Sequence, residues 1–376
     1  MGAYFSRLCS ASPEPGFLRS DVNTRADLIA CIRGSRVRIP DLQGLFTHWP
    51  QHVHPEVEKL DEHVQRTLES IFPEPQEERR LRKMKATEVA LFAASWWAYA
   101  PFEMLCVATT LSIWLFVWDD ELDSTEFSSL IDDFESASEF RKETTKFIRA
   151  SLSRNQSCDS STLTDNRIIT CFKPVGDAIS AAYNERQINT FVKELMFFVD
   201  MCQEEHKFLM TADIPTPEQY IQRRLGSGAV RVCLAINEYT TGITLPEEII
   251  NSGPIQTIWH ETNIIICCIN DILSVKKEIA QSQADTLIPL LFLKLRSVQA
   301  AIDEATLMVS RSIDRLEAAE NEILSQYSTS PKTQDMIQTH IDACKLACTA
   351  NLNWSLVSGR YRLHCTSTAN GLDVIL

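Results

Sequence analysis

LFAASWWAYAPFEMLCVATTLSIWLFVWDDELD, residues 91–123, is the stretch that decides the fold. Between Leu91 and Trp118 its single charge is Glu103, the profile of a segment buried all round. Pro101 divides it. Twelve uncharged residues, 89–100, precede that proline, and fifteen separate Glu103 from Asp119. Neither piece reaches the roughly 18–20 residues of a bilayer crossing, so no transmembrane segment is expected. Two core helices meeting at a proline corner are expected instead, with Pro101 opening the second. That helix ends in Trp118-Asp119-Asp120-Glu121-Leu122-Asp123. Acid at a helix C-terminus opposes the macrodipole, so four carboxylates there call for cations.

Outward from this stretch the chain reads as helix after helix. Residues 54–72 lie between proline boundaries, and 76–100 turn apolar on entering the core. Thr216-Pro217-Glu218 supplies a cap and a first-turn proline. Pro254 precedes a helix ending near Ala280, and helical patterns fill 285–327 and 332–363. Eleven glycines in 376 residues, with few alternating Val/Ile/Thr runs, argue against sheet. No repeat recurs. The expected architecture is all-α, a single-domain bundle of about ten or more helices, over residues 36–368. Residues 1–35, with Pro13, Pro15 and Gly16, read as a mobile arm, and 369–376 as a C-terminal tail.

A net charge of −14 argues against nucleic-acid binding. It also means that an anionic substrate would need bound cations. Hydrophobic residues at 44% and charged residues at 23% match a globular protein. The start, MGAYFSRLCSASPEPG, lacks the apolar core of a secretory signal. Gly2 and Ser6 match the short, loose myristoylation pattern M-G-x-x-x-S. The twelve cysteines form no C-x-x-C, and Cys267, Cys268, Cys344 and Cys348 sit in apolar helical stretches. Reduced core thiols in a cytoplasmic protein are expected.

Two clusters carry chemistry. Asp119 and Asp123 are four apart and share one helical face. Asn270, Ser274 and Glu278 also step by four, a polar stripe about 12 Å long at a rise of about 1.5 Å per residue. Amide, hydroxyl and carboxylate oxygens are hard donors suited to Mg2+. The stripe follows the apolar run 264–269, so it is expected to point into a cavity. Taken singly, either cluster also occurs on ordinary surface helices.

Together they resemble the D-D-x-x-D and N-D-x-x-S-x-x-x-E metal motifs of class I terpene synthases, in the microbial and fungal sesquiterpene cyclase branch, with every specified position present. Arg224, 46 residues before Asn270, is similar to the family's diphosphate-sensing arginine, and Gly228 to the carbonyl that responds to it. Lys277 resembles a diphosphate contact, Trp354 a pocket tryptophan, and Arg360-Tyr361 the terminal Arg-Tyr pair. Ser227 departs from the pattern, standing where many bacterial members carry a linking aspartate.

The resemblance implies a class I terpenoid synthase bundle that ionises an isoprenyl diphosphate, farnesyl diphosphate first among them. It implies Mg2+, three ions, held by Asp119, Asn270, Ser274 and Glu278, with Arg224, Lys277, Arg360 and Tyr361 on the diphosphate. A monomer or homodimer is expected. Phe92, Trp96, Trp97, Phe116, Trp118 and Trp354 are candidate rings to face a carbocation, but most of them read as plain core residues, and the resemblance singles out Trp354 alone.

Two alternatives stand beside it. A chain-elongating prenyltransferase would carry a second aspartate-rich motif in place of Asn270/Ser274/Glu278, and an inactive helical binding protein would not need intact ligands on both walls. His260-Glu261 begins like H-E-x-x-H, but Ile264 fills the second histidine position. His48, His52 and His54 are unevenly spaced in a proline-rich surface segment, and no nucleotide-binding or serine-hydrolase motif is present.

Overall fold

The computed structural model describes residues 22–154, 160–361, 363 and 367–376. Its first element corrects the expected arm. Helix α1 (Arg25–Ile32) is capped by Thr24, whose side chain accepts from Asp27 N while Asp27 closes the box. Leu28 and Ile32 are fully buried, and Arg25 pairs with Asp285 at 2.8 Å. Residues 1–21, with Gly2 and Ser6, lie outside the described residues. Strand β1 (Arg36–Ile39) pairs antiparallel with β2 (Leu372–Ile375), so the expected tail is the second half of a ribbon. Val37, Ile39 and Val374 face inward. Four residues of period-two alternation are too few to separate from loop by pattern alone.

The helices follow in order: α2 (Val57–Ile71), α3 (Glu78–Lys85), α4 (Val89–Trp96), α5 (Phe102–Asp123), α6 (Phe134–Ser151), α7 (Arg167–Thr170), α8 (Lys173–Ala182) and α9 (Glu185–Leu209). Then come α10 (Pro217–Ser227), α11 (Val230–Leu234), α12 (Asn237–Thr241), α13 (Glu247–Ile250), α14 (Gly253–Ala280), α15 (Leu287–Leu295), α16 (Val298–Gln326) and α17 (Pro331–Val357). Two expected single helices are broken in two. Glu88 (φ 57°) separates α3 from α4, and Arg296 (φ 60°) separates α15 from α16. Neither left-handed residue is a glycine, so composition held no warning of the breaks.

Helix α5 is the axis of the bundle. It has the length and hydropathy of a membrane span, yet α2, α4, α8 and α12 pack around it, and it is buried without interruption from Ala108 to Leu115. Thr109 and Ser112 return their hydroxyls to the carbonyls of Leu105 (2.7 Å) and Ala108 (3.0 Å), which satisfies them inside the core. Pro101 caps α5 as expected. Helix α14 packs chiefly on α16 and α17, and α9 on α10 and α6. A docked α1 makes Leu28 a core residue. Leu28→Ala should therefore lower unfolding free energy by about 2–4 kcal/mol in chemical denaturation, and a loss below about 0.5 kcal/mol, the surface-site range, would restore the mobile arm.

Candidate active site

A cavity of about 430 Å³ lies among α5, α9, α10, α14 and the end of α17. It gathers the side chains of Asp119, Asn270, Ser274, Glu278, Arg224, Lys277, Arg360, Tyr361 and Trp354, all singled out from sequence. Asp119 and Asp123 enter from the last turn of α5, and the polar stripe enters from α14.

The α14 wall is wired side chain to side chain. Ser274 Oγ donates to Glu278 Oε1 at 2.6 Å, an i,i+4 contact on one face. Glu278 Oε2 is buried and finds no hydrogen bond. Asn270 Oδ1 accepts from Arg224 Nη2 at 2.8 Å, and Asn270 Nδ2 donates to Tyr361 OH at 2.6 Å. Arg224 also lies 3.7 Å from Asp271 Oδ1, while Asp271 Oδ2 accepts from Tyr220 OH at 2.7 Å. Ser227 makes no bridge: its hydroxyl is buried without a partner, and Asn270 links Arg224 to the wall instead. Gly228 ends α10, where an added Cβ would come within 2.9 Å of both Arg224 O and Cys267 Sγ. Ala229 then turns left-handed (φ 55°) to start α11.

Charge is concentrated and poorly neutralised. Burial, then the neighbouring Asp123 carboxylate, hold Asp119 well above the ordinary carboxylate range. Asp123, open to the cavity itself, is pushed up to about 6 by burial and Asp120. Glu278 rises to about 7 through burial and the Asp271 charge. Lys277 falls to about 8 because of burial and the nearby Arg360. Arg360 stands 3.9 Å from Asp120, with its guanidinium 5.3 Å from the Phe116 ring centre.

These groups suit hard divalent cations. Among the described residues no three His, Cys, Asp or Glu side chains converge on one point, so the protein does not cage an ion alone. Mg2+ tolerates that, because it keeps waters and takes one or two carboxylates plus substrate phosphate oxygens. The unpartnered Glu278 Oε2 and the raised carboxylates of Asp119 and Asp123, which line the same cavity, are what such ions would relieve.

Aromatic rings line the cavity too, against Arg360 and Tyr361. Phe92 packs on Trp96 (4.9 Å), Phe116 (5.6 Å) and Trp354 (5.1 Å). Trp354 Nε1 donates to Thr87 O at 2.9 Å. Trp97 and Trp118 are core residues, and neither lines the cavity. They bond Asn237 Oδ1 (3.3 Å) and Thr144 Oγ1 (3.0 Å) and are packing residues. His48 meets Glu317, His52 stacks on Tyr99, and His54 Nδ1 accepts from Glu56 N, so these histidines share no ligand. The described cysteines are free thiols. Tyr220 and Thr87 were not anticipated. Their partners lie far away in sequence, at 51 residues for Tyr220–Asp271, and no spacing rule reaches that distance.

Acidic, cationic and aromatic side chains in one helical cavity suit an enzyme that handles an anion and a hydrocarbon together. The family model described as terpene synthase family 2, C-terminal metal binding, matches residues 110–315. The sesquiterpene cyclase hepA of Aspergillus oryzae is 29% identical over 91% of this chain and 93% of its own length. The terpene cyclase braA of Annulohypoxylon truncatum is 24% identical over 91% and 90%. The crystal structure of a-eudesmol synthase superposes with a TM-score of 0.70 at 17% identity, covering 83% of this chain and 98% of that one. The chain belongs to this family and is a class I terpene cyclase of the microbial branch.

A carboxylate whose folded-state pKa is raised weakens the fold as pH rises, since the native state then holds the extra proton. For Glu278 that loss spans its ordinary value of 4.5 to about 7. Metal-free Glu278→Gln should therefore melt about 2 °C or more above the parent at pH 8, with the gap closing at pH 4. An equal gap at both pH values would contradict the buried-charge account.

Proposed function

We propose that the chain ionises farnesyl diphosphate with Mg2+ and closes the resulting allylic cation into a cyclic sesquiterpene hydrocarbon or alcohol, releasing diphosphate. One observation supports this: carboxylate, amide and hydroxyl oxygens, the cationic side chains of Arg224, Lys277 and Arg360, and aromatic rings line a single cavity of about 430 Å³. That volume lies within the range that encloses a single small ligand. The relative named as a sesquiterpene cyclase, matched over 91% of the chain, supports the farnesyl chain length.

Asp119 on α5, and Asn270, Ser274 and Glu278 on α14, would hold the metal, three ions in all. Bound there, the ions would neutralise the diphosphate and make it a leaving group. Arg224, Lys277, Arg360 and Tyr361 would donate hydrogen bonds to its oxygens, contacts that strengthen as negative charge moves onto the departing group. Arg224 is pre-aimed by Asn270 and by the Asp271–Tyr220 pair, so little reorganisation is needed. Phe92, Trp96, Phe116 and Trp354 would keep water out and turn ring faces to the cation, worth roughly 2 kcal/mol per desolvated contact. Because the Trp354 N–H is occupied by Thr87 O, that side chain presents its π surface rather than a polar group.

The test is incubation with farnesyl diphosphate and Mg2+, reading organic extracts by gas chromatography–mass spectrometry. A cyclic terpene is expected, and its formation should cease with chelator. A longer linear diphosphate, or no turnover, would overturn the proposal. Asn270→Ala should lower kcat by about a hundredfold or more, the scale of losing one preorganised electrostatic group, while the helical circular-dichroism signal persists. Arg360→Ala should weaken diphosphate binding with little change in melting temperature, and a selective loss of stability would make that pair structural.

A further inference from the structure

Arg141, on α6, lines the same cavity beside Cys202 and His206 of α9 and is 2% exposed. Its Nη2 donates to His206 Nδ1 at 2.7 Å, and His206 Nε2 donates in turn to Ile131 O at 2.9 Å. That pattern fixes a neutral imidazole, so His206 orients the guanidinium without neutralising it. The remaining nitrogens, Nε and Nη1, are buried and unpartnered. The Phe134 ring sits 5.8 Å from the guanidinium carbon.

Other arginines withdrawn from solvent in this protein meet carboxylates: Arg80 with Glu121, Arg186 with Glu238, Arg231 with Glu194. Among the described residues Arg141 forms no ion pair, and burial pulls its pKa below the ordinary value. An arginine stays charged under such pressure, and an uncompensated buried charge is costly to a fold. Something anionic therefore completes the site. The cavity that Arg141 lines is the one Asp119 and Asp123 enter from α5.

We propose that Arg141 is a further diphosphate-binding residue, offering Nε and Nη1 to phosphate oxygens from the aspartate side of the cavity. It would complement Arg224, Lys277 and Arg360, which come from α10, α14 and the segment after α17. His206 would serve as its positioning residue. This inference rests on the diphosphate function proposed above.

Isothermal titration of the full chain with inorganic diphosphate in the presence of Mg2+ tests it. Arg141→Met, which keeps length without charge, should weaken the Kd about tenfold, the scale of a charge-assisted contact. Arg141→Lys should recover part of that loss. Because a stranded charge is removed, metal-free Arg141→Met should melt no lower than the parent. A wild-type Kd for Arg141→Met, or a metal-free Arg141→Met that is unfolded or clearly destabilised, would overturn the assignment and make Arg141 structural. Failure of the parent protein to bind diphosphate would instead overturn the diphosphate function of the whole site, and this inference with it.

Discussion

Carboxylates gathered around one cavity from α5 and α14, with too few cations of their own, are the constraint from which the rest of this structure follows. Asp119 and Asp123 repel across one turn of α5, and Glu278 and Asp271 across two turns of α14. In a chain of net charge −14 such an arrangement is maintained against both solvation and Coulomb's law. It becomes favourable only when multivalent cations and their anionic ligand enter together. The fold supplies the walls, and the ligand supplies the charge balance.

The reactive hydrocarbon imposes an opposite demand, that nothing nucleophilic be loose nearby. Ser112 lines the cavity, but its hydroxyl is turned back onto the Ala108 carbonyl. The Trp354 N–H is likewise taken by Thr87 O. Among the lining atoms without a partner, Trp96 Nε1 and Asn351 Nδ2 are N–H donors rather than nucleophiles, while Ser227 Oγ and Glu278 Oε2 are oxygens.

Much of this was legible in sequence because helix periodicity places residues four apart on one face. Asn270, Ser274 and Glu278 could be grouped from spacing alone, and Pro101, Pro217 and Pro254 marked helix starts that the fold keeps. What escaped depends on partners distant in the chain. Nothing local says that Tyr220 holds Asp271 or that His206 steadies Arg141. Which of the six candidate rings would reach the cavity was equally hidden, and Trp118, next to the aspartates, bonds Thr144 in the core. The breaks at Glu88, Ala229 and Arg296 are left-handed turns without glycine, imposed by packing rather than by composition. The short ribbon of β1 and β2 joins segments that no pattern would pair.

The anchoring of Trp118 reaches into how such a catalyst can diversify. Its indole is bonded to α6 and packed against Phe140 and Phe198, so the rotational setting of α5 is locked one residue before Asp119. Lineages derived from this chain cannot shift that wall without breaking the core. Change in ring pattern is then expected from cavity side chains carried by other elements, since a turn of α5 large enough to move Asp119 would also pull Trp118 from Thr144.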